Sequence, residues 1–231
     1  MLLNFADAAV DPLWKDLNLE LRRGEFIAVL GPNGVGKSTL LGAVLGTRRL
    51  TSGSISRDAR LGFIPQQRMF PDLPLRARDL VSLSGAHGVF RNRRMRAEDV
   101  DELLERVGAT GLAGRKVGEL SGGQQQLVRQ AQALATRPEV LLADEPLLSL
   151  DPGAQQRTVR LLGQLKAEGV GQIVVTHDIN PLIGLVDRIL YLAPHGHTLG
   201  RVDEVMQSER LSELYDAPVT VVRVNDRIVV V

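Results

Sequence analysis

The stretch Gly31-Pro32-Asn33-Gly34-Val35-Gly36-Lys37-Ser38 decides the fold. It has the phosphate-loop spacing of a glycine, four residues and then Gly-Lys-Ser. It follows Phe26–Leu30, an unbroken apolar run typical of a strand buried on both faces. A helix is predicted directly after it, over Lys37–Leu45, ending at Gly46. A buried strand, a glycine-rich turn and a helix are the context that this loop needs in order to bind phosphate.

The residue types of this loop suit the phosphates of a nucleotide. Glycines let consecutive backbone N–H groups point at phosphate oxygens, and the N-terminus of the helix adds its positive dipole. Lys37 is expected to place a charge on the outer phosphates, and Ser38 to offer its hydroxyl to Mg²⁺. The predicted phosphate-binding residues are Gly31, Pro32, Asn33, Gly34, Val35, Gly36, Lys37, Ser38 and Thr39.

A second apolar run, residues 140–143, ends in two adjacent carboxylates, Asp144 and Glu145. We expect Asp144 to hold Mg²⁺, directly or through water, and Glu145 to act as the general base that polarises the attacking water. Two acids after a strand can also mark the start of a solvated loop. Their pairing with the phosphate loop favours the magnesium interpretation.

Strands and helices alternate around these two motifs. Residues 2–10 and 17–22 are predicted to form a hairpin, and residues 76–138 carry helical patterns without a convincing strand. Strands at 140–143, 173–176 and 188–192 alternate with helices at 153–168 and 179–186, and residues 219–224 and 227–231 suggest a terminal hairpin. We therefore expect an α/β fold: a P-loop NTPase core with a mostly parallel sheet, an N-terminal antiparallel β subdomain and an inserted helical subdomain.

The expected organisation is a single domain over residues 1–231, with the core at 1–75 and 139–231 and the helical subdomain at 76–138. The formal net charge of +1 gives no reason to expect nucleic acid as a partner. The absence of cysteine excludes disulfide, thiolate-zinc and cysteine-nucleophile chemistry. No apolar stretch is long enough for a membrane helix, and the first ten residues lack the pattern of a signal peptide.

The pentapeptide Leu120-Ser121-Gly122-Gly123-Gln124 resembles the signature of ATP-binding cassette (ABC) ATPases. Ser121 is also a plausible N-cap for the helical pattern that follows it. Further motifs of the family occur in order. They are Gln66, which resembles the Q-loop glutamine, Asp144-Glu145-Pro146, the D-loop-like Ser149-Leu150-Asp151, and His177, which resembles the switch histidine.

The resemblance implies ATP and Mg²⁺ as cofactors and a role for each matching residue. Glu145, His177 and Gln66 would serve catalysis, and Ser38, Gln66 and Asp144 would bind Mg²⁺. Ser121, Gly122, Gly123 and Gln124 would contact ATP held by a second copy of the chain in a head-to-tail homodimer, with Asp151 at the interface. His177 would hydrogen-bond both the γ-phosphate and Glu145.

Some positions depart from the family pattern. An aromatic residue usually stacks on adenine, but the matching residues 8–10 are Ala-Ala-Val. Trp14 is nearby, and we expect it to pack in the core instead. Leu147 stands where the family often has Thr, and Leu127 where it often has Arg. Neither change should abolish hydrolysis.

The resemblance also implies what hydrolysis drives. A lone cassette of this kind docks on integral-membrane permease subunits at the cytoplasmic face of the inner membrane, and an extracytoplasmic solute-binding protein delivers the cargo. Residues 73–81 and the tail around residues 200–215 resemble zinc and manganese importers. Alternatives are an iron-chelate importer, a non-metal transporter including an exporter, or a soluble ABC ATPase outside transport.

Two clusters invite further roles. Arg91, Arg93, Arg94 and Arg96 form a basic group that is either a solvated face or a contact with permease or anionic headgroups. His195 and His197 suggest a metal site, but with no other ligand nearby a simple turn is the favoured interpretation.

Overall fold

A computed structural model describes residues 1–66, 73–85, 95–224 and 227–230. Three sheets and seven α-helices account for most of these residues. The strands are β1 (Leu3–Val10), β2 (Trp14–Leu21), β3 (Phe26–Leu30), β4 (Ser52–Arg57), β5 (Leu61–Ile64), β6 (Val140–Asp144), β7 (Gly171–Val175), β8 (Arg188–Ala193), β9 (Gly196–Gly200), β10 (Val221–Val224) and β11 (Arg227–Val230). The helices are α1 (Lys37–Leu45), α2 (Ala77–Ser84), α3 (Ala97–Arg106), α4 (Gly122–Ala135), α5 (Pro152–Ala167), α6 (Val202–Val205) and α7 (Ser208–Tyr215).

The central sheet has six strands in the order β5-β6-β7-β3-β8-β9, all parallel except β9. Every residue of β3, β6 and β7 is buried. Alternate residues of β3 enter two different cores, Phe26, Ala28 and Leu30 on one face and Ile27 and Val29 on the other. This explains why these strands are continuous apolar runs, and it confirms the predicted α/β fold with a mostly parallel sheet.

A separate antiparallel sheet, in the order β2-β1-β4, covers the face of the central sheet that carries α1. The β1–β2 pairing runs from Leu3 opposite Leu21 to Val10 opposite Trp14, so the predicted N-terminal hairpin is confirmed. Trp14 is 5% exposed, as its predicted core position requires.

The helices α2, α3 and α4 pack on the other face, around Val81, Leu104 and Val128. Within residues 73–85 and 95–138 the structure assigns helices and short 3₁₀ segments and no regular strand, as the pattern predicted. Of the basic cluster, Arg96 is described and forms an ion pair with Asp99 at 3.1 Å, while Arg91, Arg93 and Arg94 lie outside the described residues. Among the helices that the structure describes, none is long and apolar enough to cross a membrane.

One local prediction was wrong. Residues 179–186 do not form a helix: Asn180–Leu182 make one 3₁₀ turn, and turns follow. The Asn180 side chain bonds back to Asp178 instead of facing solvent, which competes with helical hydrogen bonding. The turn favoured for His195 and His197 is found in part: His195 lies in the turn between β8 and β9, whereas His197 belongs to β9 and pairs opposite Leu192.

The C-terminal hairpin is confirmed as β10 and β11, which pair in register from Val221 opposite Val230 to Val224 opposite Arg227. Its predicted turn at Asn225-Asp226, and Val231, lie outside the described residues.

Candidate functional site

The phosphate loop connects β3 to α1, and Gly31 and Gly36 show why its backbone requires glycine. Gly31 has φ of 136°, and a Cβ there would lie 2.0 Å from the carbonyl oxygen of Leu192. Gly36 is the N-cap of α1 and has φ of 96°. Left-handed backbone and close packing therefore explain both glycines, and the loop delivers the N-terminus of α1 to the carboxyl edge of the sheet.

Lys37 is the first residue of α1, and its ammonium group turns back over the loop. Nζ donates to the carbonyl oxygens of Gly31 and Pro32, each at 2.8 Å. Burial lowers the pKa of Lys37 from its ordinary value, and the charges of Glu145 and Asp144 act in the opposite direction. The lysine thus faces both the loop and the acids across the site.

Asp144 and Glu145 stand at the carboxyl end of β6, which pairs with β7. Asp144 is 5% exposed, and the backbone N–H of Glu145 donates to the carbonyl of Val175 at 3.0 Å. Glu145 has φ of 51°, a left-handed conformation that is strained for a residue with a Cβ. Strain of this kind, costing about 1–3 kcal/mol, persists where the surrounding structure enforces it and is concentrated at functional sites.

His177 follows β7 and meets Glu145. Its Nδ1 lies 2.8 Å from Oε2 of Glu145, and the His177 side chain is 65% exposed while that of Glu145 is 12% exposed. The carboxylate is thus sheltered, whereas most of the imidazole ring reaches solvent.

A cavity of about 240 Å³ brings the phosphate loop together with Asp144 and Glu145, and His177 reaches it only through its contact with Glu145. Such a volume suits a triphosphate better than a whole nucleotide, since complete ligand pockets usually exceed about 300 Å³. The loop, the end of β5 and the ends of β6 and β7 all contribute. The lining residues are Asn33, Gly34, Gly36, Lys37, Ser38, Thr39, Gln66, Asp144, Glu145 and Val175.

Gln66 reaches this cavity from the end of β5 and is tied to the helical segment. Its carbonyl oxygen accepts a hydrogen bond from Nη1 of Arg129 in α4 at 3.3 Å. Burial lowers the pKa of Arg129, whose side chain is drawn into the space between α4 and the chain after β5. Sequence reasoning missed Arg129. It lies two positions after the noted Leu127, in a helix that also buries Gln125 and Gln126, so no apolar pattern distinguished it.

The signature residues form a second cluster. Ser121 caps α4: the Gln124 N–H donates to Ser121 Oγ at 3.3 Å, and the Ser121 N–H donates to Gln124 Oε1 at 3.1 Å. This reciprocal capping box confirms the predicted N-cap. A Cβ on Gly123 would lie 3.0 Å from the carbonyl oxygen of Ser149, so the signature packs against the segment that ends in Asp151.

Asp151 itself caps α5, because its Oδ1 accepts from the N–H of Ala154 at 2.9 Å. Ser121 and Asp151 are both exposed. Neither is among the described residues that line the cavity at the phosphate loop. The structure therefore separates the predicted site residues into two groups within one chain.

Comparison with known proteins decides the family. A family model described as ABC transporter matches residues 14–148. The chain belongs to the ABC transporter family. The zinc import ATP-binding protein ZnuC of Marinobacter nauticus is 34% identical over 208 residues, covering 88% of this chain and 77% of that protein. The manganese transport system ATP-binding protein MntB of Bacillus subtilis is 33% identical over 225 residues, covering 90% of this chain and 88% of that protein.

Solved structures agree. A chain of an ABC transporter in an inward-facing conformation, assigned provisionally to the metal-chelate type, superposes with a TM-score of 0.83 at 27% identity, covering 99% of this chain and 95% of that one. The ATP-binding cassette MJ0796, solved as a dimer bound to ADP and Pi, has a TM-score of 0.75 at 28% identity and covers 87% of this chain and 98% of that one. This ABC family member is an ATPase.

Residues 8–10, which match the adenine-stacking position of the family, offer no aromatic side chain. Ala8 and Ala9 are 0% and 4% exposed, so these two residues belong to the core of the N-terminal sheet, and Val10 is partly exposed. Leu13 and Trp14 instead pack against the phosphate loop: a Cβ on Gly36 would lie 3.0 Å from Leu13 Cβ and Trp14 Cδ1. The Trp14 indole thus supports the phosphate loop at Gly36.

Proposed function

We propose that this ABC ATPase powers the import of a divalent metal cation, zinc or manganese, through separate membrane permease subunits. The observation that carries this proposal is the similarity, over most of the chain, to relatives named for zinc import and manganese transport. In this proposal the chain sits at the cytoplasmic face of the membrane, without crossing it, and an extracytoplasmic binding protein delivers the metal to the permease.

ATP is the substrate, and the phosphate loop would hold its triphosphate. Backbone N–H groups of the loop and of the first turn of α1 would donate to phosphate oxygens. Lys37 donates to the carbonyls of Gly31 and Pro32 at 2.8 Å and would exchange these bonds for contacts with the outer phosphates. Thr39 lines the same cavity.

The donor set of this cavity fits Mg²⁺, because hydroxyl, carboxylate and amide oxygens are the ligands that this ion prefers. Ser38, Gln66 and Asp144 would hold it, since all three line the cavity with Lys37. When bound, the ion neutralises charge on the β- and γ-phosphate oxygens.

Glu145 would accept a proton from the water that attacks the γ-phosphorus, while the bond between that phosphorus and the bridging oxygen breaks and ADP leaves. His177 would hold the Glu145 carboxylate through the 2.8 Å contact at Nδ1. An ionised carboxylate only accepts hydrogen bonds, so this Nδ1 carries a hydrogen. A neutral His177 would then present Nε2 as an acceptor, and donation to the γ-phosphate requires both ring nitrogens to be protonated.

The γ-phosphate would be completed by a second copy. An exposed or half-exposed helix N-terminus, which does not line the chain's own cavity, is formed by Ser121, Gly122, Gly123 and Gln124, and such a terminus suits an anion. The related cassette MJ0796 was solved as a dimer. We infer a head-to-tail homodimer in which each signature closes the other copy's site, with Asp151 at the interface.

The test of the cargo is stimulation of ATPase activity in the reconstituted complex of this chain with its permease. Vesicles would be assayed with a zinc-binding protein, a manganese-binding protein and an iron-chelate-binding protein, each loaded and unloaded. We expect the loaded zinc or manganese protein to raise the rate of phosphate release. Stimulation by the iron chelate alone, or by none of the three, would overturn the proposal.

A further inference from the structure

Asn180 joins the loop that carries His177 to the C-terminal hairpin. Its Nδ2 donates to the carbonyl oxygen of Ile228 at 3.1 Å, and its Oδ1 accepts from the backbone N–H of Ile228 at 2.8 Å. One side-chain amide therefore pairs with both backbone groups of a single residue in β11. This is the pattern of a strand neighbour, made by a side chain.

The same amide holds the His177 loop. Nδ2 of Asn180 also donates to Oδ1 of Asp178 at 2.8 Å, and the Asn180 backbone N–H donates to that oxygen at 3.0 Å. The amide orientation is determined by these partners, because a flipped amide would place its oxygen against two acceptors.

Asp178 is in turn tied to the residue before His177. Thr176 Oγ1 donates to the Asp178 carbonyl oxygen at 2.9 Å, and the Asp178 N–H donates to Thr176 Oγ1 at 3.2 Å. The residues on both sides of His177 are thus held in place, and Asn180 helps to hold Asp178. Because the ring of His177 is 65% exposed, this backbone frame has a large share in orienting it.

The other end of the link is anchored as well. Ile228 is 6% exposed and belongs to the core, and Ser208 Oγ in α7 accepts from the N–H of Val221 in β10 at 2.9 Å. The hairpin is therefore a fixed support and not a free tail.

We propose that Asn180 is a positioning residue for ATP hydrolysis, which braces the His177 loop against the C-terminal hairpin so that Nδ1 of His177 meets Glu145. This inference rests on the role proposed above for Glu145 and His177. It adds that the C-terminal hairpin, remote in sequence from every motif of the family, contributes to the rate of the chemical step.

The experiment compares Asn180→Ala with wild type in steady-state ATPase assays on the full chain. We expect kcat to fall about tenfold, since a small misplacement of a catalytic group has effects of this order, with the KM for ATP changed less than about twofold. The matched control is Asn18→Ala. Asn18 makes a similar clamp on Asp7, at 2.8 and 3.0 Å, in the N-terminal sheet, and its loss should leave kcat unchanged.

A double-mutant cycle separates positioning from general damage. In a His177→Ala background, adding Asn180→Ala should cause no further loss of kcat. An equal further loss, or an Asn180→Ala variant with the wild-type kcat, would overturn the inference. A wild-type chain without ATPase activity would overturn this inference and the proposed function together.

A pair of near-isosteric variants keeps the test valid if Asn180→Ala unfolds. Asn180→Asp retains the acceptor for Ile228 but sets two carboxylates against each other, so kcat should fall. Asp178→Asn combined with Asn180→Asp restores a donor and an acceptor between these positions and should recover part of the rate. No recovery in a double variant whose melting temperature matches wild type would contradict the proposal.

Discussion

The cavity at the phosphate loop and the signature region are both built on helix N-termini, yet they are completed differently. At the cavity, the lining side chains have partners within the chain: Lys37 donates to the loop carbonyls, and Glu145 contacts His177. In the signature region, Ser121 and Gln124 bond to each other, and Gly122 and Gly123 in the first turn of α4 are half-exposed. The cavity therefore resembles a ligand-binding site, whereas the signature region resembles a contact surface.

The difference follows from the elements that support each region. Strands β3, β6 and β7 end at the same edge of one sheet, so the register of the sheet fixes the loop, the acids and His177 relative to one another. The signature lies on α4, on a separate face, and is held by its cap and by contact with Ser149. In our proposal, one chain therefore positions the triphosphate but needs a second copy to close over it.

The largest expected effect is at the base of the cavity. Glu145→Gln removes the proton acceptor while keeping the shape of the side chain, so we expect kcat to fall by about 10²- to 10⁴-fold. ATP binding should persist, and the variant should accumulate as a dimer in size-exclusion chromatography with ATP and magnesium, since hydrolysis is what reopens the pair.

The control for this variant is Glu139→Gln, at the opposite end of β6. Glu139 pairs with Arg23 at 2.8 Å and with Arg60 at 3.5 Å near the surface, and the loss of such exposed pairs should change stability little. Its ATPase rate should match wild type. If Glu145→Gln remains a monomer at saturating ATP, the proposal that a second copy completes the site is contradicted.

A mixing experiment sharpens the same contrast. Lys37→Ala should lose ATP binding by about 10²-fold or more, because the charge that the outer phosphates require is removed. Ser121→Asp should keep the cap of α4, since Asp caps as well as Ser, but should repel the γ-phosphate of the other copy. Each variant alone should be inactive.

An equal mixture should recover about a quarter of the wild-type rate, because half of the pairs are mixed and each mixed pair has one intact composite site. Rates would be measured by phosphate release as a function of the mixing ratio. A mixture that stays inactive, although both variants are folded, would mean that the signature does not complete the site of another copy.

The parts of the fold that the sequence predicted are those with strong local signals. The apolar runs of β3 and β6 and the glycines before α1 each constrain the backbone without reference to distant residues. The N-cap at Ser121 was predictable for the same reason. The turn after His177 was not predictable, because the Asn180 side chain bonds to Ile228, 48 residues away in sequence, where the local pattern indicated a helix.

The acid and histidine of the site show where local patterns stop. These patterns placed Glu145 and His177 at two strand ends, and only the family resemblance implied that the two would meet. Their 2.8 Å contact depends on β6 and β7 being neighbours in the sheet. Similarly, β9 was missed because a Gly-His-Thr-Leu-Gly strand has little apolar alternation and forms by pairing with β8. Long-range pairing, not local preference, decides such elements.

The smallest expected effect concerns the adenine end. Here the missing aromatic side chain contrasts with the full set of phosphate-binding residues in the same site. The buried Ala8 and Ala9 have no room for a base, so Val10 is the position at which an aromatic side chain could reach it. We expect wild type to bind ATP and GTP with affinities within about threefold of each other, since stacking on an aromatic ring contributes only about 0.5–1.5 kcal/mol where it is present.

Val10→Tyr should then tighten ATP binding by about two- to tenfold, the equivalent of one aromatic stacking contact. The fluorescence of Trp14, the single tryptophan of the chain, can report binding, because the indole packs against Gly36 in the phosphate loop. Val222→Tyr, on the exposed face of the C-terminal hairpin, is the matched control and should leave the affinity unchanged. If Val10→Tyr also leaves it unchanged, the base does not lie over the end of β1, and affinity comes from the triphosphate end alone.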